Sequence, residues 1–120
     1  MKYLILLLSV LVPGCYNDTE EQLYGVQACN LEGVTYSANV APILLNNCYA
    51  CHGQAIAPVN GAGIVLEGYD KVRVAVENGL LLESVTHGAN ASPMPKNAPK
   101  LSDCKINTIK KWIGEGALNN

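Results

Sequence analysis

The sequence predicts an all-α fold of short helices joined by loops. Near the C-terminus, "LSDCKINTIKKWIGEG" carries a helix start, an apolar stripe and terminating glycines. In "SANVAPILLNNCYACHG", Val40, Ile43 and Leu44 recur at the i, i+3, i+4 spacing of a helix face. The segments between these two are short and broken by glycine and proline.

The chain has 120 residues, enough for one small domain. "MKYLILLLSVLVPGC" opens with Lys2 and an apolar run from Tyr3 to Val12. That run is too short to cross a bilayer and has the length of a signal-peptide core. It ends in "VPGC", which resembles a bacterial lipobox, so residues 1–14 are expected to be a lipoprotein signal peptide with Cys15 lipidated. Ordinary signal cleavage with Cys15 as a free thiol is the competing expectation. Residues 15–34 are polar and acidic, with Asp18, Glu20, Glu21 and Glu32, and are expected to form a tether. Residues 35–120 are then the folded domain.

Within that domain Pro42 falls near the start of the first helix, so either Asn39 is the cap or the first turn is distorted. "GQAIAPVNGAGIVLEG" reads as loop. "YDKVRVAVENG" is ambiguous. Val72, Val74 and Val76 alternate as in a strand, whereas Tyr69, Val72 and Val76 fit a helix face with Gly79 as C-cap. "GLLLESVTHG" reads as a short helix, and "ANASPMPKNAPK" as extended loop because of its three prolines. In the last helix Ser102 is the N-cap and Asp103 suits the helix dipole. Ile106, Ile109 and Ile113 form the stripe with Trp112 beside it, and Gly114 or Gly116 terminates.

The five cysteines divide by context. Outside the cytoplasm disulfides persist. With Cys15 assigned to lipid and Cys48 and Cys51 to the motif "CYACH", only the pair Cys29–Cys104 remains. A bridge closing so long a loop would stabilise by about 4 kcal/mol in the chain-entropy model. The net charge of −2 excludes the broad basic excess of a nucleic-acid binder.

"CYACH" admits three chemistries. A structural zinc site needs four ligands, usually as paired knuckles, and no second C-x-x-C is present. A thioredoxin-like dithiol belongs to an alternating α/β pattern, which is missing. C-x-x-C-H is the attachment pattern of c-type haem. Two thiols at this spacing can add to the porphyrin vinyl groups, and the adjoining His52 then lies under the iron. A sixth ligand is often a methionine thioether, which favours the ferrous state. Of two methionines Met1 leaves with the signal peptide, so Met94, between Pro93 and Pro95, is the candidate. His87 is the rival ligand, with a polar residue near the haem edge as its other role.

Cys48, Cys51 and His52 after a short helix, Met94 in a proline-rich loop, and a terminal helix bearing Trp112 together resemble the class I c-type cytochromes. The resemblance covers about Thr35 to Leu118. It implies an all-α cytochrome c fold wrapped around one covalent haem c, with the first and last helices crossing. The family often seats a glycine of the first helix against an aromatic of the last. Here Trp112 supplies the aromatic, and the first helix offers Ala38 and Ala41. The implied function is electron transfer rather than catalysis, on an exported, lipid-anchored protein of the periplasm or cell surface. Its partners would be redox proteins, with Lys96 and Lys100 steering an acidic one toward the haem edge. A haem-based ligand sensor, a small peroxidase-like module, or a subunit of a larger oxidoreductase complex are the alternatives.

Overall fold

In the computed structural model, residues 29–120 are described, and all their regular structure is helical. The signal-peptide segment, Cys15 and most of the expected tether lie outside these residues. The order is a π-helical turn, Tyr36–Val40, running into α1 (Ala41–Asn47), then α2 (Tyr49–His52), α3 (Ala57–Asn60), α4 (Tyr69–Glu77), α5 (Leu80–Thr86) and α6 (Asp103–Gly114). No described helix is long and apolar enough to cross a membrane.

The first turn is distorted, as Pro42 allows. Proline supplies no N–H, and its ring crowds the carbonyl four residues back. The wider π turn is the local solution, with Val40 N–H reaching Thr35 O at 3.3 Å. Thr35, not Asn39, is the N-cap, and its hydroxyl accepts from Ala38 N–H at 3.2 Å. Asn39 reaches back instead, its Oδ1 accepting from Thr35 N–H at 2.8 Å.

The ambiguous valine segment is helical. Val72 and Ala75 are buried, Tyr69 and Val76 pack against the core, and Val74 is 60% exposed. Gly68 (φ 91°) and Gly79 (φ 77°) stand at its two ends in the left-handed half of backbone space, where glycine is unstrained. The C-cap is Asn78, one residue before the expected Gly79. Residues 53–68 are not purely loop, because Ala57–Asn60 makes one turn of helix with Pro58 in its first positions. Ser102 caps α6 through Lys105 N–H, and the helix ends at Gly114.

One core joins these pieces. Val40 and Leu44, Val72, Leu81 and Val85, and Ile106, Ile109 and Trp112 are buried together. Val34 joins them, so the core reaches one residue into the expected tether. Helix α6 packs against the π-helical turn and against α5. Trp112 sits in the centre of its stripe, whereas Ile113 is only partly buried. Two tyrosine rings pack near Trp112. Tyr36 lies 5.5 Å and Tyr69 6.5 Å from it, centroid to centroid. The chain after α6 folds back over this cluster. Trp112 Nε1 donates to Leu118 O and Tyr69 Oη to Ala117 O, both at 2.8 Å. Asn120 then accepts from Tyr36 N–H and Ser37 N–H, satisfying donors that a helix start leaves open. Cys29 and Cys104 form a disulfide across 75 residues, as expected.

Two outcomes follow from this core. Trp112→Ala should destabilise by about 3–5 kcal/mol in urea unfolding, the usual cost of emptying a large aromatic site. Burial, aided by Tyr49, raises the Tyr36 phenol from 10.0 to about 12. The neutral form is the one the fold accommodates, so its contribution is full below pH 10 and is lost as pH rises toward 12. Tyr36→Phe should flatten the alkaline limb of a stability-versus-pH curve over that window.

Candidate functional site

Cys48 sits at the joint between α1 and α2. Its N–H donates to Leu44 O at 2.8 Å, and its carbonyl accepts from Cys51 N–H at 3.1 Å and His52 N–H at 2.8 Å. The two cysteines and the histidine of the motif therefore leave a single turn. Cys48 is half-buried against the core and Cys51 is exposed, and both thiols are free.

The chain from Gly53 to Glu67 returns to this turn and holds it. Leu66 N–H donates to His52 O at 2.8 Å, and Gln54 N–H donates to the Glu67 carboxylate at 2.7 Å. Between these ties, the Ile64 carbonyl lies 2.8 Å from His52 Nδ1. A carbonyl only accepts, so Nδ1 carries the proton and Nε2 keeps its lone pair. Nε2 has no hydrogen-bond partner among the described residues. Gly61 makes the close approach possible. A Cβ there would stand 2.5 Å from the Cys51 carbonyl oxygen and 3.0 Å from His52 Nδ1.

Ile64 also faces a cleft of about 330 Å³, lined by Val65, Val74, Ala75 and Leu80 with Lys71 and Asn78 as its polar members. None of Cys48, Cys51, His52 and Met94 lines it.

Met94 is held by a different element. It is half-buried on the loop after α5, and its N–H donates to Ser84 O at 3.0 Å. His87 ends α5 in the left-handed conformation (φ 58°, ψ 41°), with its Nε2 3.1 Å from Met94 O. His52 and Met94 share no hydrogen bond; each is fixed by its own loop.

The donor set narrows the chemistry of the motif. The disulfide consumes Cys29 and Cys104, so they offer no thiolate to a zinc ion. Among the described residues no group of three or more His, Cys, Asp or Glu side chains converges on a metal position. What the turn does present is one imidazole nitrogen of fixed tautomer and two free thiols, a set suited to a cofactor bonded covalently and ligated from one side. Lysines near the methionine loop are partly engaged. Lys100 lies 3.9 Å from Asp103, and Lys105 donates to Asn47 Oδ1 at 3.3 Å.

No protein-family model matches the chain, and neither does any curated protein or solved structure.

Several contributors are silent in the sequence. The Ile64 and Ser84 groups are backbone carbonyls, which no residue type announces. Gly61 follows Asn60 in an ordinary turn dipeptide, and only its packing on Cys51 and His52 marks it.

The two thiols should differ in reactivity. Burial pushes the Cys48 thiol up to about 11, and only the thiolate attacks an alkylating agent. With both thiols free at pH 8, iodoacetamide should modify exposed Cys51 well before Cys48, as read by peptide mass spectrometry.

Proposed function

We propose that the protein is an electron carrier with one c-type haem, of the cytochrome c fold, exported and anchored through a lipid on Cys15. The observation that carries the proposal is the fixed tautomer of His52, on the same turn as two free thiols. Bound haem supplies a one-electron Fe(III)/Fe(II) couple. Cys48 and Cys51 would hold it through thioethers, and His52 Nε2 would be the proximal ligand. The Ile64 carbonyl orients the imidazole, as outer partners of ligating histidines commonly do. Met94 would supply the distal thioether.

If His52 and Met94 both ligate the iron, a substrate would have to displace one of them to reach it. The protein is therefore a carrier rather than an enzyme, and its partners are redox proteins, one of them met through the Lys96 and Lys100 side of the methionine loop.

Pyridine haemochrome analysis of protein produced with a haem-attachment system should report covalent c-type haem. Ferric wild type should be low-spin with a weak methionine–iron charge-transfer band, and Met94→Ala should abolish that band while leaving the haem attached. A chain without covalent haem, or a high-spin ferric wild type, would overturn the carrier.

A further inference from the structure

We infer that His87 is a positioning residue for Met94 and not an iron ligand. This rests on the functional reading above. The first observation is a hydrogen bond between side chain and backbone. His87 Nε2 lies 3.1 Å from the Met94 carbonyl oxygen. The oxygen can only accept, so Nε2 carries the proton and is committed to the loop. A histidine ligates iron through a nitrogen lone pair; Nε2 has none to offer while the bond stands, and only Nδ1, the ring nitrogen nearer the backbone, keeps one.

The second observation is how His87 is placed. It closes α5 with φ 58° and ψ 41°, a left-handed conformation that costs a non-glycine residue on the order of 1 kcal/mol. Its N–H donates to Ser84 O at 3.2 Å, and Gly88 N–H donates to Glu83 O at 2.8 Å, so the helix end is closed around it. Glycine would take that conformation without cost, but it would carry no ring.

The third observation is that Met94 is gripped from both backbone directions. Ser84 O accepts the Met94 N–H at 3.0 Å, so the same carbonyl serves both His87 and Met94. His87 takes the Met94 carbonyl. Both polar backbone groups of Met94 are thereby bonded to the last turn of α5 and its cap. Glu83 ties the start of the loop, accepting from Asn90 N–H at 3.3 Å. The prolines on either side of Met94 stiffen the loop, but neither can donate a hydrogen bond to dock it on α5. Removing the imidazole leaves the thioether on a loop held at one end.

The test uses the full-length protein with haem attached. Imidazole added to the ferric form must displace the Met94 thioether to bind, so its apparent affinity reports how firmly the loop presents that ligand. His87→Ala should raise the apparent imidazole affinity by about two- to tenfold, the worth of one hydrogen bond, and weaken the methionine–iron band. His87→Gln, whose amide N–H can occupy the place of Nε2–H, should return both readouts toward wild type. In the ferrous wild type, nitrogen-15 NMR should show the Nε2–H tautomer for His87, a measurement that needs no variant to fold. Unchanged imidazole affinity and band in His87→Ala would overturn the inference, as would an Nδ1–H tautomer. A variant set in which His87→Ala turns high-spin while Met94→Ala keeps the wild-type spectrum would make His87 the ligand and overturn it too. Wild type lacking covalent haem would overturn the functional reading first and this inference with it.

Discussion

The structure depends on the burial of Trp112 between Tyr36 and Tyr69. The described chain contains no phenylalanine, and most of its core side chains are valine, leucine and isoleucine. One indole and two phenol rings therefore supply much of the large apolar surface available, and they come from three elements far apart in sequence. Aromatic rings bury more area than aliphatic side chains but carry polar tips that need partners. The segment after α6 answers that need, because Leu118 O and Ala117 O accept from Trp112 and Tyr69. Arg73 adds a bond to Ala117 O at 3.2 Å from α4. The C-terminal tail thus seals the aromatic cluster rather than trailing from it.

With the terminal helix and the first helical segment joined in this way, the candidate site is assembled from the pieces between them. The two residues proposed to ligate haem iron, His52 and Met94, are held on the same plan. In each, a backbone carbonyl and a short loop hold the residue, through the imidazole of His52 and through the backbone N–H of Met94. His52 is set by Ile64 and the turn at Gly61, and Met94 by Ser84 and the cap at His87. Backbone carbonyls do this well. They are fixed by the fold, carry no titratable charge, and cannot exchange donor and acceptor roles.

Much of this was legible in the sequence, for identifiable reasons. The helices at both ends have apolar stripes of helical period, and Ser102 is a start signal that the fold uses. The Cys29–Cys104 pairing follows from context and counting, and the bridge is present. The segment with Val72, Val74 and Val76 was undecidable because three valines satisfy two periods at once. Its resolution came from Ala75 and Tyr69 sharing the buried face with Val72. The π turn was visible only as a consequence of Pro42, and the helix at Ala57–Asn60 was hidden by the glycines and proline around it. The hydrogen bonds that orient His52 and Met94 were out of reach, since they join side chains to peptide groups 12 and 7 residues away, or run through the backbone alone.

The disulfide has a mechanical meaning as well as a thermodynamic one. Cys48, Cys51, His52, Gly61, Ile64, His87 and Met94 all fall between Cys29 and Cys104, inside the covalent loop. A pulling force applied at the two ends of the chain enters at Cys29 and crosses to Cys104 through the sulfur–sulfur bond. It then runs out along α6 and the tail, so the backbone of the segment in between is bypassed and the tail's bonds to Tyr36, Tyr69 and Arg73 are what the force loads first. The peptide backbone around Cys48–His52 and Met94 is thus shielded by the bridge from tension along the chain.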